Sequence, residues 1–434
     1  MKKKDCLISV SALYFIVFSL VYTCYNAMFS IIKDLLGNND KDAFRTMIVT
    51  IFPCLSTFIF STAITKNIAH VGALKILFFL FFLSHMILIF CYQIVVFPVL
   101  KNILMHLSVV VYFFCVSLIF PITEALNSNC LQRFGLMKYF SYIRISTTIG
   151  NIATLLPSIL DKRIAISGKS NHTIKLWQSV ILSVLGFCLM NFSKLKFVLE
   201  TSDDVIKTKK NRNINSYSSI LRNCIEMIFS PFGLILLTIF SQGFHRSAVD
   251  IVRTDLYSNQ LDNFDEKKLS RVMFFRYSLE ILTYLIIDST SLKSYPPVLV
   301  LSISIIFGCV RPFSMSFLQK NSSMKKIYVI NCIAEFSKAI TSGCYGWSAM
   351  TCARYYVRAE MRTFANTIIS LSYVSLCNVI VNNVYWAYLK ILGIKRMTAF
   401  DYSQFFIISG IIGLSGLLPL LAAYLKSRKQ TFNK

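Results

Sequence analysis

The sequence alternates long apolar runs with short polar or charged segments along its whole length. An α-helix needs about 20 predominantly apolar residues to cross a bilayer, and runs of about that length recur between charged or turn residues. They predict twelve membrane-spanning helices, over residues 8–32, 44–65, 73–92, 102–126, 138–160, 175–193, 226–248, 270–289, 297–317, 327–350, 363–388 and 402–425. The chain is therefore predicted to be an all-α membrane protein.

One longer polar stretch, residues 194–222, divides the predicted spans into two groups of six. It is rich in Lys and Arg and has no apolar periodicity, which indicates a solvated linker. The predicted organisation is an N-terminal six-helix bundle over 1–193, a basic cytoplasmic linker over 194–222, and a C-terminal six-helix bundle with a short basic tail over 223–434. Two six-helix halves are typical of secondary transporters, in which one half moves against the other around a site near the bilayer midplane.

The composition supports this assignment. The chain has 434 residues, of which 55% are hydrophobic and 15% charged, with a mean hydropathy of +0.60, so a large soluble catalytic domain is excluded. The net charge of +25 has no accompanying nucleic-acid-binding motif, and we expect the basic residues to face lipid headgroups and cytoplasm. The 13 cysteines lack paired spacing, which indicates buried thiols rather than disulfides or a zinc site.

Orientation follows from the distribution of positive charge. The apolar run that begins after the N-terminal lysines is too long for a signal peptide, and we predict that it is the first transmembrane helix. The basic linker and the basic C-terminal tail favour the cytoplasmic side, which places both termini there. In this topology Asn171 and Asn321, each in a glycosylation triplet, fall in outside loops. We expect a monomer in the lipid bilayer, most simply the plasma membrane.

Ionisable residues within the apolar spans are the main candidates for function, because each is costly in a membrane unless it is paired or lines water. They are Glu124, Arg144, Arg276, Glu280, Arg311, Glu335 and Lys338. Structural ion pairs or residues at the ends of helices are the alternative reading. Trp347 is a further candidate, for stacking on a solute ring or for packing.

The spacing of these residues predicts three opposite-charge pairs. Arg276 and Glu280 are four residues apart on one helix, and Glu335 and Lys338 are three apart on another. Glu124 and Arg144 lie on sequential spans and can meet across their interface. Arg311 has no local partner, which makes it a candidate for Glu280 on the adjacent span or for a ligand. The group His245, Arg246 and Asp250 either lines the pathway or lies at the membrane interface.

Three segments carry a resemblance to a known family. The run from Pro121 to Leu126, followed by Tyr142 to Ile145 and Thr148 to Gly150, resembles the signature of spans 4 and 5 in one branch of the major facilitator superfamily. That branch contains lactose permease and proton-coupled nucleoside symporters. Glu280 and Arg311 match charged positions of spans 8 and 9, and Glu360 to Asn366 is similar to the opening of span 11.

The resemblance implies the twelve-helix major facilitator fold and a carrier of a small polar solute, with protons as the coupling ion. It implies that Glu124 and Arg144 bind the solute. Asn151 replaces the aromatic platform that lactose permease uses, and Lys338 falls at or near its span 10 histidine. The loop Thr65 to Gly72 retains little of the superfamily motif. The substrate-binding candidates are Glu124, Arg144, Asn151, Arg311 and Trp347, and the candidates for proton coupling or ion pairing are Glu280, Glu335 and Lys338.

Two functions from different classes fit these features. The first is proton-coupled symport of a nucleoside or sugar by alternating access, with Glu335, or else Glu280, as the coupling carboxylate. The second is a receptor-like or binding membrane protein that retains the fold without transporting. A membrane-embedded enzyme would need an acid–base or metal-ligand constellation, and no such motif is present in the sequence. The sequence therefore predicts no catalytic residues, no metal site and no cofactor.

Overall fold

The computed structural model describes residues 3–36, 70–93, 97–160, 168–191, 222, 225–260, 266–318, 322–358, 361–391 and 398–432. Every regular element in these ranges is a helix, as predicted. Six of the helices are long and apolar enough to cross a membrane, judged over the same ranges. The predicted span 44–65, residues 194–221 of the predicted linker, Asn321 and Glu360 lie outside the described residues.

The chain divides into two compact units, Met1–Asn213 and Ile214–Lys434. Described helices of the first unit are α1 (Lys3–Leu36), α2 (His70–Gln93), α3 (Pro98–Arg133), α4 (Phe140–Leu160) and α5 (Gly168–Asn191). They correspond to predicted spans 1 and 3–6. Helix α1 packs against α3, α4 and α5, while α2 packs against α3 and α5. Leu, Phe, Ile and Val side chains from α1, α2, α3 and α5 form the apolar core of this unit.

Helix α5 begins earlier than its predicted span. The apolar run starts near residue 175, but the helix extends through the polar residues before it and includes Asn171. A helix can continue beyond the apolar part of its span because its hydrogen bonds are internal to the backbone. The prediction that Asn171 lies in a loop is therefore wrong.

The second unit contains the helices that correspond to predicted spans 7–12. They are α6 (Pro231–Gln260), α7 (Glu266–Ser289), α8 (Pro297–Met315), α9 (Met324–Tyr356), α10 (Arg362–Ser370), α11 (Leu376–Ile391), α12 (Ala399–Ser415) and α13 (Leu417–Phe432). Helix α9 packs against α7 and α8, and α6 packs against α11, α12 and α13. Spans 11 and 12 are each divided into two helical segments.

A π-helical turn, Leu371–Ser375, joins α10 to α11. The turn packs against α6, where a Cβ on Gly243 would come within 2.6 Å of the carbonyl oxygen of Tyr373. The Tyr373 ring stacks on Tyr345 with 3.9 Å between ring centroids, and its carbonyl accepts a hydrogen bond of 3.3 Å from Nη2 of Arg246. The π-turn is thus held by contacts with both α6 and α9.

A tight reversal connects α3 to α4. Gly135 has a φ of 65°, a left-handed conformation that glycine adopts without steric cost, and the amide of Leu136 donates to the Leu131 carbonyl at 2.8 Å. The chain then passes through a short 3₁₀ turn, Met137–Tyr139, into α4. The short connection keeps the end of α3 near the start of α4, and the long side chains of Glu124 and Arg144 meet between the two helices.

Helices α1 and α4 approach closely at Gly150. A Cβ at this position would lie 2.8 Å from the Phe15 carbonyl oxygen and 3.0 Å from Oγ of Ser19. The Ser19 hydroxyl donates to the Gly150 carbonyl at 3.2 Å. The contact requires a residue without a side chain, as is common where membrane helices pack.

We predict that Gly150→Val separates α1 from α4 and destabilises the protein by about 2 kcal/mol, because the added side chain meets backbone atoms. The loss is measured as a lower melting temperature of the detergent-solubilised protein. The control is Ile149→Val, a change at the neighbouring, half-exposed position that should have little effect. Equal melting temperatures for the two variants would contradict the close approach.

Candidate functional site

Three helices of the first unit converge on one ion pair. The Arg144 guanidinium on α4 contacts Oε1 of Glu124 on α3, and the Tyr14 hydroxyl on α1 donates to Oε2 of the same carboxylate at 2.6 Å. The Arg144 guanidinium carbon also lies 5.3 Å from the centroid of the Tyr14 ring. We call Tyr14, Glu124 and Arg144 the N-terminal triad.

The N-terminal triad is almost fully buried. Tyr14 has 0% exposure, Glu124 4% and Arg144 5%. A carboxylate and a guanidinium each lose several kcal/mol of hydration on burial, and mutual contact with additional hydrogen bonds is what compensates for that loss. Both carboxylate oxygens have a donor here, so the arrangement fixes the positions of the two charged groups.

Helices α3 and α4 carry further buried polar atoms that have no hydrogen-bond partner among the described residues. The side-chain amide of Asn127, one turn after Glu124, is completely buried, and neither its oxygen nor its nitrogen has a hydrogen-bond partner among the described residues. The hydroxyl oxygen of Thr123 and the side-chain oxygen of Asn151 are also buried without a hydrogen-bond partner among the described residues. Buried polar atoms are normally paired, so these groups are suited to hydrogen bonding with a polar solute or water.

The second unit contains a larger ionic network, which we define as Asp250, Arg253, Arg276, Arg311, Glu335 and Lys338. Its centre is Glu335 on α9, which has no exposed surface. Oε1 of this carboxylate contacts Arg253 on α6 and lies 3.3 Å from Nη2 of Arg311 on α8. Its Oε2 lies 3.3 Å from Nη1 of Arg276 on α7. One carboxylate thus joins cations from three other helices.

Asp250 on α6 forms the more accessible side of this network. Its Oδ1 lies 2.8 Å from Nη2 of Arg311 and 3.0 Å from Nζ of Lys338. The Asp250 side chain is 27% exposed and that of Lys338 is 17% exposed, whereas Arg311 is buried. The network therefore has a fully buried part around Glu335 and a partly exposed part around Asp250.

The structure confirms one of the three predicted pairs, Glu124 with Arg144. The pairing of Glu335 with Lys338 is wrong, because Lys338 extends from α9 to Asp250 on α6 while Glu335 binds three arginines. Arg311 contacts Asp250 and Glu335 rather than Glu280. Arg276 also reaches Glu335 on α9, and its predicted pairing with Glu280 stays a prediction. Contacts between helices prevailed because the facing helices offer charged groups in better geometry.

The remaining predicted site residues, Glu280, Trp347 and Asn151, are buried. Glu280 lies on α7 one turn from Arg276 with 7% exposure, and Trp347 lies on α9 with 8% exposure. Asn151 lies on α4 two turns beyond Arg144. The roles of these three residues stay predictions.

Sequence reasoning missed two residues of the two clusters, Tyr14 and Arg253, and left a third, Asp250, open. Tyr14 gave no signal because a tyrosine within an apolar helix is ordinary. Arg253 lies beyond the predicted end of its span, since the apolar run stops at residue 248 while α6 continues to Gln260. Asp250 was seen but left open between pathway and interface. The spacing of Arg246, Asp250 and Arg253 along one helical face was the available signal.

The chain resembles solved structures of membrane transporters. The crystal structure of the nucleoside transporter NupG shares 14% sequence identity over 96% of this chain and 99% of that chain, with a TM-score of 0.62. The proton:xylose symporter XylE of the major facilitator superfamily, bound to 6-bromo-6-deoxy-D-glucose, shares 12% identity over 96% of this chain and 95% of that chain, with a TM-score of 0.67. No model of a known protein family matches the sequence, and neither does any curated protein. The chain has the major facilitator fold.

We predict that Asp250 and Lys338 are energetically coupled. Either Asp250→Asn or Lys338→Met leaves its partner's charge without a counter-ion, whereas the double variant removes both charges. In a double-mutant cycle the combined loss of unfolding free energy should be smaller than the sum of the single losses by about 2 kcal/mol.

The matched control for this cycle is the exposed pair Arg222 and Glu226, whose nitrogen and oxygen lie 3.0 Å apart on the surface. Its coupling should stay below about 0.5 kcal/mol, because solvent screens exposed charges. Strictly additive losses at Asp250 and Lys338 would show that the two residues do not interact in the folded protein.

Proposed function

We propose that the protein is a secondary transporter of a small hydroxylated metabolite, a nucleoside or a sugar, that works by alternating access. The observation that carries the proposal is the N-terminal triad, a buried carboxylate and guanidinium placed on helices of the major facilitator fold. The structures of NupG, named as a nucleoside transporter, and of XylE, named as a proton:xylose symporter, support this solute class.

The chemistry of the triad suits hydroxyl recognition. In this proposal Glu124 accepts a hydrogen bond from a solute hydroxyl, and the planar guanidinium of Arg144 donates to a neighbouring solute oxygen. Tyr14 holds the carboxylate in position through its hydroxyl. Thr123, Asn127 and Asn151 add buried groups that would hydrogen-bond further solute atoms.

Proton coupling requires a carboxylate that gains and loses a proton as the site changes its access. We propose Asp250 for this task in preference to Glu335. The Asp250 side chain is partly exposed and contacts both Arg311 and Lys338, so its protonation would release two cations at once. Glu335 is completely buried among three arginines, which favours a structural role.

Transport distinguishes this proposal from the receptor-like alternative. Binding without transport would use the same triad, so binding alone does not decide between the two. The test is uptake of labelled xylose, glucose, glucose 6-phosphate, glucuronate, uridine and adenosine into proteoliposomes that carry an inward proton gradient. Uptake of at least one solute above protein-free vesicles supports transport, whereas binding without uptake of any of them supports the receptor-like alternative.

We predict that Arg144→Lys reduces solute binding at least tenfold without loss of folded protein. The charge is retained, but the planar fork that contacts Glu124 and would contact solute oxygens is lost. Affinity is measured by isothermal titration with the solute identified in the uptake experiment. The control is Arg133→Lys on the exposed end of α3, which should bind as the wild type does. Unchanged affinity of Arg144→Lys would restore a purely structural role for the pair.

We predict that Asp250→Asn and Glu335→Gln behave differently in transport. Asparagine imitates a protonated aspartate, so Asp250→Asn should still exchange labelled for unlabelled solute. It should no longer use the proton gradient to accumulate solute inside the vesicles. Glu335→Gln removes the anion that joins three arginines, and we expect lower stability and loss of both activities. Accumulation by Asp250→Asn at the wild-type level would exclude it as the coupling residue and return Glu335 to first place.

A further inference from the structure

Helices α6 and α8 face each other along a row of polar residues. At one end, the Ser304 hydroxyl of α8 donates to Oε1 of Gln242 on α6 at 3.2 Å. At the other end, Nη2 of Arg311 donates to Oδ1 of Asp250 at 2.8 Å. His245 lies between these two contacts. We call this row, from Gln242 to Asp250 on α6 and from Ser304 to Arg311 on α8, the polar seam.

Two glycines leave the space that the His245 ring occupies. A Cβ on Gly308 of α8 would lie 2.9 Å from Cε1 of His245, and one on Gly413 of α12 would lie 2.8 Å from its Cδ2. The imidazole is 3% exposed, and neither of its nitrogens has a hydrogen-bond partner among the described residues. The imidazole ring is therefore packed tightly in the seam while both of its nitrogens remain available for hydrogen bonding.

The unused groups of the seam are mostly donors. Nε and Nη1 of Arg311 and Nε2 of Gln242 are buried without partners in the described part of the chain. These atoms carry N–H groups only, and a neutral histidine adds one donor and one acceptor. The seam is thus rich in donors and poor in acceptors.

The acceptors that are present already serve several donors. Oδ1 of Asp250 contacts both Arg311 and Lys338, and Oε1 of Glu335 contacts both Arg253 and Arg311. In the described ion pairs of the network, three arginines and one lysine share two carboxylates. The carboxylate oxygens that Arg311 contacts are thus already shared with Arg253 or Lys338, and an added anion would give the remaining Arg311 donors an acceptor of their own.

We infer that the polar seam binds an oxyanion, a phosphate or carboxylate group, between His245 and Arg311. The group would accept hydrogen bonds from Arg311 and from a ring N–H of His245, and would enter past Lys338 and Asp250, the partly exposed side of the network. The inference deepens the proposed function, on which it rests: the transported metabolite would be a sugar or nucleoside that carries an acidic group.

The first experiment measures the melting temperature of the purified protein with glucose, glucose 6-phosphate, glucuronate and inorganic phosphate, at ionic strength matched with sodium chloride. A ligand that binds only the folded state should raise it by roughly 5 °C at about 100 times its dissociation constant. We expect the anions to raise the melting temperature in a saturable way and glucose to leave it unchanged. A rise with inorganic phosphate alone would identify a free anion as the ligand, and a rise confined to the sugar anions would identify the solute.

Two substitutions place the effect at the seam. Arg311→Gln should abolish the rise, whereas Arg222→Gln, which removes an exposed arginine of the same unit, should retain it. A second comparison covers the case in which Arg311→Gln does not fold. His245→Glu supplies a carboxylate within the seam. Without added anion its melting temperature should therefore be higher than that of His245→Gln, and added anions should no longer raise it.

Three results would overturn the inference. The first is a rise in melting temperature with glucose as large as that with glucose 6-phosphate. The second is that Arg222→Gln loses the response to anions as completely as Arg311→Gln does. The third is a lower melting temperature for His245→Glu than for His245→Gln. None of these measurements requires transport. Anion binding in a protein that takes up no solute would leave the seam assigned and would overturn the proposed function alone.

Discussion

The arrangement of the second unit depends on one buried carboxylate. Glu335 has no exposed surface, yet it carries a charge into an apolar helix bundle, where the cost is several kcal/mol unless opposite charge surrounds it. Arginines from α6, α7 and α8 provide that charge, so a single side chain on α9 fixes the lateral positions of three other helices. Apolar packing by itself gives little orientation in a membrane, because lipid tails are as apolar as the side chains.

The two units use buried charge in different ways. The first unit has a small, satisfied cluster in which both oxygens of Glu124 have donors. The second has a wide network in which, among the described ion pairs, two carboxylates serve four cations, and part of that network is partly exposed. A satisfied pair fixes geometry and is suited to recognising a solute, whereas a network with shared acceptors can exchange partners when a proton or an anion arrives.

Apolar run length predicted the helices that the structure describes, because the bilayer demands long apolar segments with internally bonded backbones. It also indicated which residues needed counter-ions, and Glu124 and Arg144 were correctly paired because a short turn joins their helices. Pairing in the second unit was not predictable in the same way. Spacing along one helix favours Glu335 with Lys338, but the choice of partner depends on how α6, α7 and α8 are rotated toward α9. That rotation depends on contacts such as the one between Gly308 and His245, which the hydropathy of the sequence does not reveal.

The π-turn at Leu371–Ser375 has a consequence for how this chain can change in evolution. A π-turn holds one more residue than an α-turn, so α10 and α11 together amount to an α-helix with a one-residue insertion. Each α-helical residue accounts for about 100° of rotation, and the bulge absorbs this phase change locally. Loss of one residue from 371–375 would restore regular α-helix but would rotate α11 relative to α10, and the Tyr373 carbonyl would no longer be presented to Arg246. Chains of this lineage should therefore tolerate substitution in the segment more readily than a change in its length.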